Sequence, residues 1–235
     1  MTLPSVNVRR LHPRRLALNL AAGLLGLALV LPAGRLAHAG EECFLAADLA
    51  TGRIHAKQGL CATRQSPAST FKIALALMGF ETGLLKSPSL PVFEEPTGPH
   101  TTGPDTWRGP QTPRTWMERS VVWYSQILAA DLGKAEMERF LKAFAYGNEN
   151  LSGNTEAPDG YLRAWLSSSL RISPREQLDF LRRLLKGALP VSADAVDKTI
   201  AILEVPERPA GWLLHGKTGT GFALHADARG AGFGR

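Results

Sequence analysis

Residues 73–80 read Ile-Ala-Leu-Ala-Leu-Met-Gly-Phe, an apolar run headed by Ser69-Thr70-Phe71-Lys72, and no other feature restricts the fold as much. The segment from Ser69 to Phe80 is rich in helix formers, and a helix with no polar face has to be wrapped by other elements. Pro67, just upstream, suits the first positions of such a helix. Positions i and i+3 share a helix face, so the Ser69 hydroxyl and the Lys72 amine come within reach of each other. A serine at a helix N-terminus also sits where free N–H groups and the dipole favour developing negative charge. A serine nucleophile needs a neighbouring base, and desolvation in apolar surroundings lowers a lysine pKa towards that role. Read alone, the pair is a capping serine followed by a surface lysine. A serine three places before a lysine is common by chance, although no other lysine of this chain has one.

The rest of the chain alternates in a definite order. Cys43 to Leu49, Thr51-Gly52 and Arg53 to Ala56 read as a strand, a turn and a second strand. Residues 86–115 hold seven prolines and three glycines and read mainly as an irregular loop. Gln126 to Ala145 is helical with an interruption at Gly133. Ser173-Pro-Arg-Glu176 has the form of a capping box, with Leu178, Leu181 and Leu185 as the stripe behind it and Gly187 as the stop. Trp212 to Thr220 reads as a strand. Strands, then helices, then a strand again predict an α/β (α+β) fold: an antiparallel sheet lobe built from both chain ends, plus an all-helical lobe.

The formal charge of +6 belongs to the N-terminus. Residues 1–39 hold five arginines and no acidic residue, so the remainder carries 22 basic against 21 acidic side chains. That near-neutral remainder shows no footprint for nucleic acid. Arg9 to Arg15, the apolar stretch Leu16 to Leu31 and Ala37-His38-Ala39 have the order of a cleaved signal peptide over 1–39. A membrane anchor would want about 20 apolar residues, whereas this run carries Asn19, Gly23 and Gly26 and ends at Pro32. The expected mature domain is 40–235, periplasmic and without a stable anchor. Cys43 and Cys61, the two cysteines, then suggest a disulfide, against the alternative of two buried thiols.

Three further short motifs would each pass for ordinary structure. Ser120-Val121-Val122 resembles a helix cap, Tyr146-Gly147-Asn148 a turn, and Lys217-Thr218-Gly219 a strand end. In one chain, and in this order after Ser69-x-x-Lys72, they resemble the four signature elements of class D (oxacillinase-type) serine β-lactamases. Pro67 to Ile73, Glu81-Thr-Gly83, and Trp165 followed by Ser169 to Pro174 extend the likeness over about residues 43–220. Class A relatives carry Ser-Asp-Asn where this chain has Ser120-Val-Val.

The resemblance implies a fold of the serine β-lactamase and penicillin-binding type, and a β-lactam as the small-molecule partner. It implies Ser69 as nucleophile and Lys72 as general base, N-carboxylated by carbon dioxide, with no metal or other cofactor. By the same likeness Trp165 holds the carbamate, Val122 lines its pocket and Ser120 relays a proton to the leaving nitrogen. Lys217, Thr218 and Gly219 meet the substrate carboxylate side, and the N–H groups of Ser69 and Thr220 form the oxyanion hole. Tyr146, Gly147 and Asn148 shape the site. Family members continue after the Lys-Thr-Gly strand with two more strands and a closing helix, whereas this sequence ends at Arg235. The expectation is a product that folds poorly, aggregates or turns over slowly. The rival readings are a non-hydrolysing β-lactam-binding or sensor protein and an inactive remnant. Monomer and homodimer both stay open.

Overall fold

The computed structural model describes residues 42–97, 103–154 and 160–221. The expected signal peptide lies outside these residues. Two strands open the fold, β1 (Cys43–Ala47) and β2 (Ile54–Gly59), paired antiparallel. Asp48 closes their turn by accepting from the Thr51 backbone and hydroxyl at 2.7 and 2.6 Å. Cys43 and Cys61 form the expected disulfide, which closes a sequence separation of 18. A bridge of that span contributes about 3 kcal/mol.

Among the described residues six α-helices follow: α1 (Lys72–Glu81), α2 (Pro113–Arg119), α3 (Val122–Leu132), α4 (Lys134–Phe144), α5 (Pro174–Leu185) and α6 (Ala193–Ile202). The helical stretch expected from Gln126 begins earlier, at Val122, and divides at Gly133 as expected. α1 packs against α3 and α6, and Ala74 to Met78 are all 0% exposed, as the apolar run demands. Burying a leucine completely contributes about 1.5–3 kcal/mol. Behind α1 lie Trp116, Tyr124, Phe140, Phe144 and Phe180, all fully buried. The capping box at the start of α5 forms in both directions, Glu176 N donating to Ser173 Oγ and Ser173 N to Glu176 Oε2. β1 rests on α5, and Arg175 N and Lys186 Nζ donate to Cys61 O and Ala50 O of the hairpin region.

Two details differ from the sequence reading. The α-helix starts at Lys72, and Ser69 lies in a 3-10 turn over Ala68–Phe71 that leads into it. Of the strand expected over 212–220, only β4 (Leu214–His215) is paired, with β3 (Glu204–Val205). A strand is defined by its ladder, and among the described residues this one ends where Gly216 N donates to Leu203 O across 2.9 Å, with nothing paired to 217–220. The two strand pairs are therefore separate two-stranded sheets among the described residues. Together with the helices they make the mixed α/β fold expected.

Candidate active site

The Ser69 turn brings its two reactive groups together by local geometry alone. Lys72 Nζ lies 3.2 Å from Ser69 Oγ. Lys72 is 0% exposed. Burial, and then the charge of Lys217, bring its pKa down to about 7. An ammonium in that setting would forfeit its hydration for little return. Lys217 is itself shifted down by burial, and its Nζ donates to Thr218 O across 2.9 Å. The two lysines thus stand near enough to repel, which makes the site attractive to an anion.

The Lys217–Gly219 segment passes directly over the turn. A Cβ built on Gly219 would lie 3.0 Å from Thr70 Cγ2 and 3.1 Å from Pro67 O, so only glycine approaches without displacing them. Two clefts flank the segment. One, of about 510 Å³, lies between Gly219, Gly221 and the Ser66–Ala68 stretch. The other, of about 480 Å³, is lined by Lys217, Thr218, Met117 and Glu118. Thr218, Gly219 and Thr220 are exposed.

An aromatic wall closes the opposite side. Phe71 stacks on Trp165 with centroids 5.2 Å apart and meets Tyr146 edge-on at 5.6 Å. Trp165 is fully buried, and its Nε1 has no hydrogen-bond partner among the described residues. Burial raises the Tyr146 phenol far above neutrality, so it cannot act as a base at ordinary pH. Its hydroxyl donates to Gln177 Oε1 across 3.3 Å. Gly147 has φ +60, and a Cβ there would collide with Arg171 O. Asn148 fastens the same loop, its Nδ2 donating to Ser169 O at 2.8 Å while its Oδ1 accepts from Arg171 N at 2.8 Å.

Ser120 ends α2 in the left-handed conformation, φ 59, with Val121 fully buried behind it and Val122 half-buried at the start of α3. The structure does not bring the Ser120 hydroxyl within hydrogen-bond distance of Ser69 or Lys72. Ser69, Lys72, Lys217, Gly219 and Trp165 do converge, while Tyr146 and Asn148 hold the wall. Two participants escaped the sequence reading: Thr70, which touches Gly219, and Ser66, whose hydroxyl bonds the Trp165 loop. Only the proximity of Ser66 to Pro67 and Ser69 could have drawn notice to it.

This arrangement has close counterparts. Residues 33–232 match the family model of the penicillin binding protein transpeptidase domain. The crystal structure of OXA-427, a class D β-lactamase, is 47% identical, with a TM-score of 0.73 over 79% of this chain and 75% of that one. The chain belongs to the class D β-lactamase family. β-Lactamase OXA-9 of Klebsiella pneumoniae is 40% identical over 181 residues, 77% of this chain. β-Lactamase OXA-1 of Escherichia coli is 40% identical over 187 residues, 79% of this chain. The chain spans 66% of the length of each of these two relatives. The Ser69 turn, the Ser120 helix end, the Tyr146–Asn148 turn and the Lys217–Gly219 segment all lie among the described residues. No helix among the described residues is long and apolar enough to cross a membrane.

Proposed function

We propose that this chain hydrolyses β-lactams through a Ser69 acyl-enzyme, with Lys72 as the base after its amine takes up carbon dioxide. The observation that carries the reading is Lys72: fully buried, 3.2 Å from Ser69 Oγ, with its pKa drawn down to about 7. A neutral amine can add to carbon dioxide and release a proton, whereas an ammonium cannot. The N-carboxylate supplies a carboxylate base at a place that favours an anion, given the nearby Lys217 cation. Trp165 Nε1, buried and without an acceptor beside Phe71, is a donor suited to holding it.

The remaining roles follow from the family resemblance. Ser69 Oγ gives its proton to the base as it bonds to the lactam carbonyl carbon. The N–H groups of Ser69 and Thr220 receive the developing oxyanion, where one donor contributes about 3 kcal/mol. The lactam C–N bond then breaks, and Ser120 passes a proton to the departing nitrogen. Lys217 and Thr218 meet the substrate carboxylate, Gly219 gives them close approach to the turn, and Val122 adds apolar lining. Water next attacks the acyl carbonyl, loses a proton to the base, and frees Ser69. Export through residues 1–39 fits the Cys43–Cys61 bridge, since disulfides persist in oxidising compartments.

Turnover of a chromogenic cephalosporin, with and without bicarbonate, tests the reading. Sustained hydrolysis that rises with added bicarbonate is the expected result. Stoichiometric labelling of Ser69 without turnover would make the chain a β-lactam binder. No labelling by a folded sample would leave it inactive towards β-lactams.

A further inference from the structure

We infer that Ser66 is a positioning residue that fixes Trp165 over the Ser69–Lys72 turn, a role that builds on the acyl-transfer reading above. Its hydroxyl joins the two segments that meet at the site. It donates to Trp165 O across 2.7 Å and accepts from Ser167 N across 2.9 Å. It also accepts from Ala68 N, one residue before Ser69, at 3.4 Å. One oxygen thus spans both sides of the aromatic wall.

The backbone around it is strained on both segments. Ala68 has φ 47 and Ser167 φ 52, the left-handed region for two residues that are not glycine. Such conformations persist only where the surroundings impose them, and they gather at functional sites. Both residues donate their backbone N–H to the Ser66 hydroxyl. Gly221 packs against the same spot, where a Cβ would lie 3.2 Å from Ser167 Oγ and 3.3 Å from Ala68 Cβ. Ser66 is not needed to bring the segments together. The neighbouring bridge does that, Gln65 N donating to Ile172 O at 3.0 Å and Ile172 N to Gln65 O at 2.9 Å. What the hydroxyl adds is the exact seat of Trp165.

Trp165 carries its own reporter. The indole N–H groups of Trp107, Trp116 and Trp123 donate to Arg119 O, Ser125 Oγ and Trp107 O. That of Trp165 has no acceptor among the described residues and is shielded by burial. Local opening therefore shows in its hydrogen exchange first.

The test uses the full chain labelled with ¹⁵N-tryptophan, the Trp165 signal being assigned by Trp165→Phe. In Ser66→Ala the Trp165 indole should exchange roughly tenfold faster, while those of Trp107, Trp116 and Trp123 keep their rates. Ser66→Thr, which retains the hydroxyl, should restore the slow rate. The bicarbonate concentration for half-maximal turnover should rise by a similar factor in Ser66→Ala. Unchanged Trp165 exchange overturns the proposal, and so does equal acceleration of all four indoles, which would make Ser66 general support. A wild-type enzyme indifferent to bicarbonate would instead remove the N-carboxylated Lys72, and the exchange comparison would still decide the role of Ser66.

Discussion

The two halves of the site are held in opposite ways. Ser69 and Lys72 belong to α1 and its leading turn, where Ala74 to Met78 are 0% exposed. Lys217 to Gly219 follow a two-residue pairing in which Leu214 is 46% exposed and nearby Trp212 75%. Ser69 and Lys72 owe their 3.2 Å approach to one helical turn, a three-residue matter that packing then freezes. The Lys217–Gly219 segment owes its place to contacts with residues about 150 positions earlier in the chain, Pro67 and Thr70. Under the proposed function, chemistry falls in the rigid half and substrate reading in the half with fewer ties, a division common to enzymes that position ligands on less stable segments.

Breaking the rigid half should have the largest effect. Lys72→Met keeps the apolar packing but removes the base, and turnover should fall by roughly 10³-fold or more. Stability should move the other way. The unfolded chain keeps this lysine protonated up to about 10.5, while the folded one releases the proton at about 7. Between those values the unfolded state binds more protons, so stability rises with pH across that window. Lys72→Met should flatten much of the rise, and be more stable than wild type by a few kcal/mol near pH 7. Thermal melts from pH 6 to 10.5 check this. Activity has the matching sign, since the acid limb below about pH 7 reports protonation of the amine and should recover with added bicarbonate.

Amide exchange sharpens the contrast without any substitution. Amides of Leu75 to Met78 should exchange only through extensive unfolding, and those of β3 and β4 through local opening, a difference on the order of 10² to 10³. Equal protection would show that the second half is as firmly held as the first. Gly219→Ala probes the one close contact between the halves. Its Cβ must push Thr70 and Pro67 by a few tenths of an ångström, so kcat/KM should drop on the order of tenfold while the melting temperature barely moves.

The same division explains how much could be read from sequence. Local features were legible: the apolar run of α1, the Ser69–Lys72 spacing, the capping box at Ser173–Glu176 and the break at Gly133. The order of the four motifs carried the family, which the relatives bear out. What depended on distant partners was less legible. The stretch 212–220 has strand composition, yet pairing extends over only Leu214 and His215, because a ladder is a property of two segments. Ser66 gave no signal beyond its nearness to Pro67 and Ser69, since its contacts are with Trp165 and Ser167, about a hundred residues away.

Glu176 yields the smallest and most separable effect, because it supports the rigid half from outside the chemistry. Hydrogen bonds from Arg64 come first in drawing its pKa down to about 2, and the Ser173 N–H and hydroxyl add to them. The unfolded carboxyl titrates near 4.5, so its contribution is present above that pH and is lost as pH falls towards 2. Glu176→Gln keeps one arm of the capping box but loses the ion pair with Arg64, so about 1 kcal/mol should go at pH 7 and nearly nothing at pH 2.5. Glu176→Gln turnover at pH 7 should stay within about twofold, because the first turn of α5 meets the aromatic wall through the Ile172 bridge and the Tyr146–Gln177 hydrogen bond, neither of which uses Glu176. A larger loss of activity than of stability would show that the capping box sets the Trp165 loop, and that the rigid half extends as far as α5.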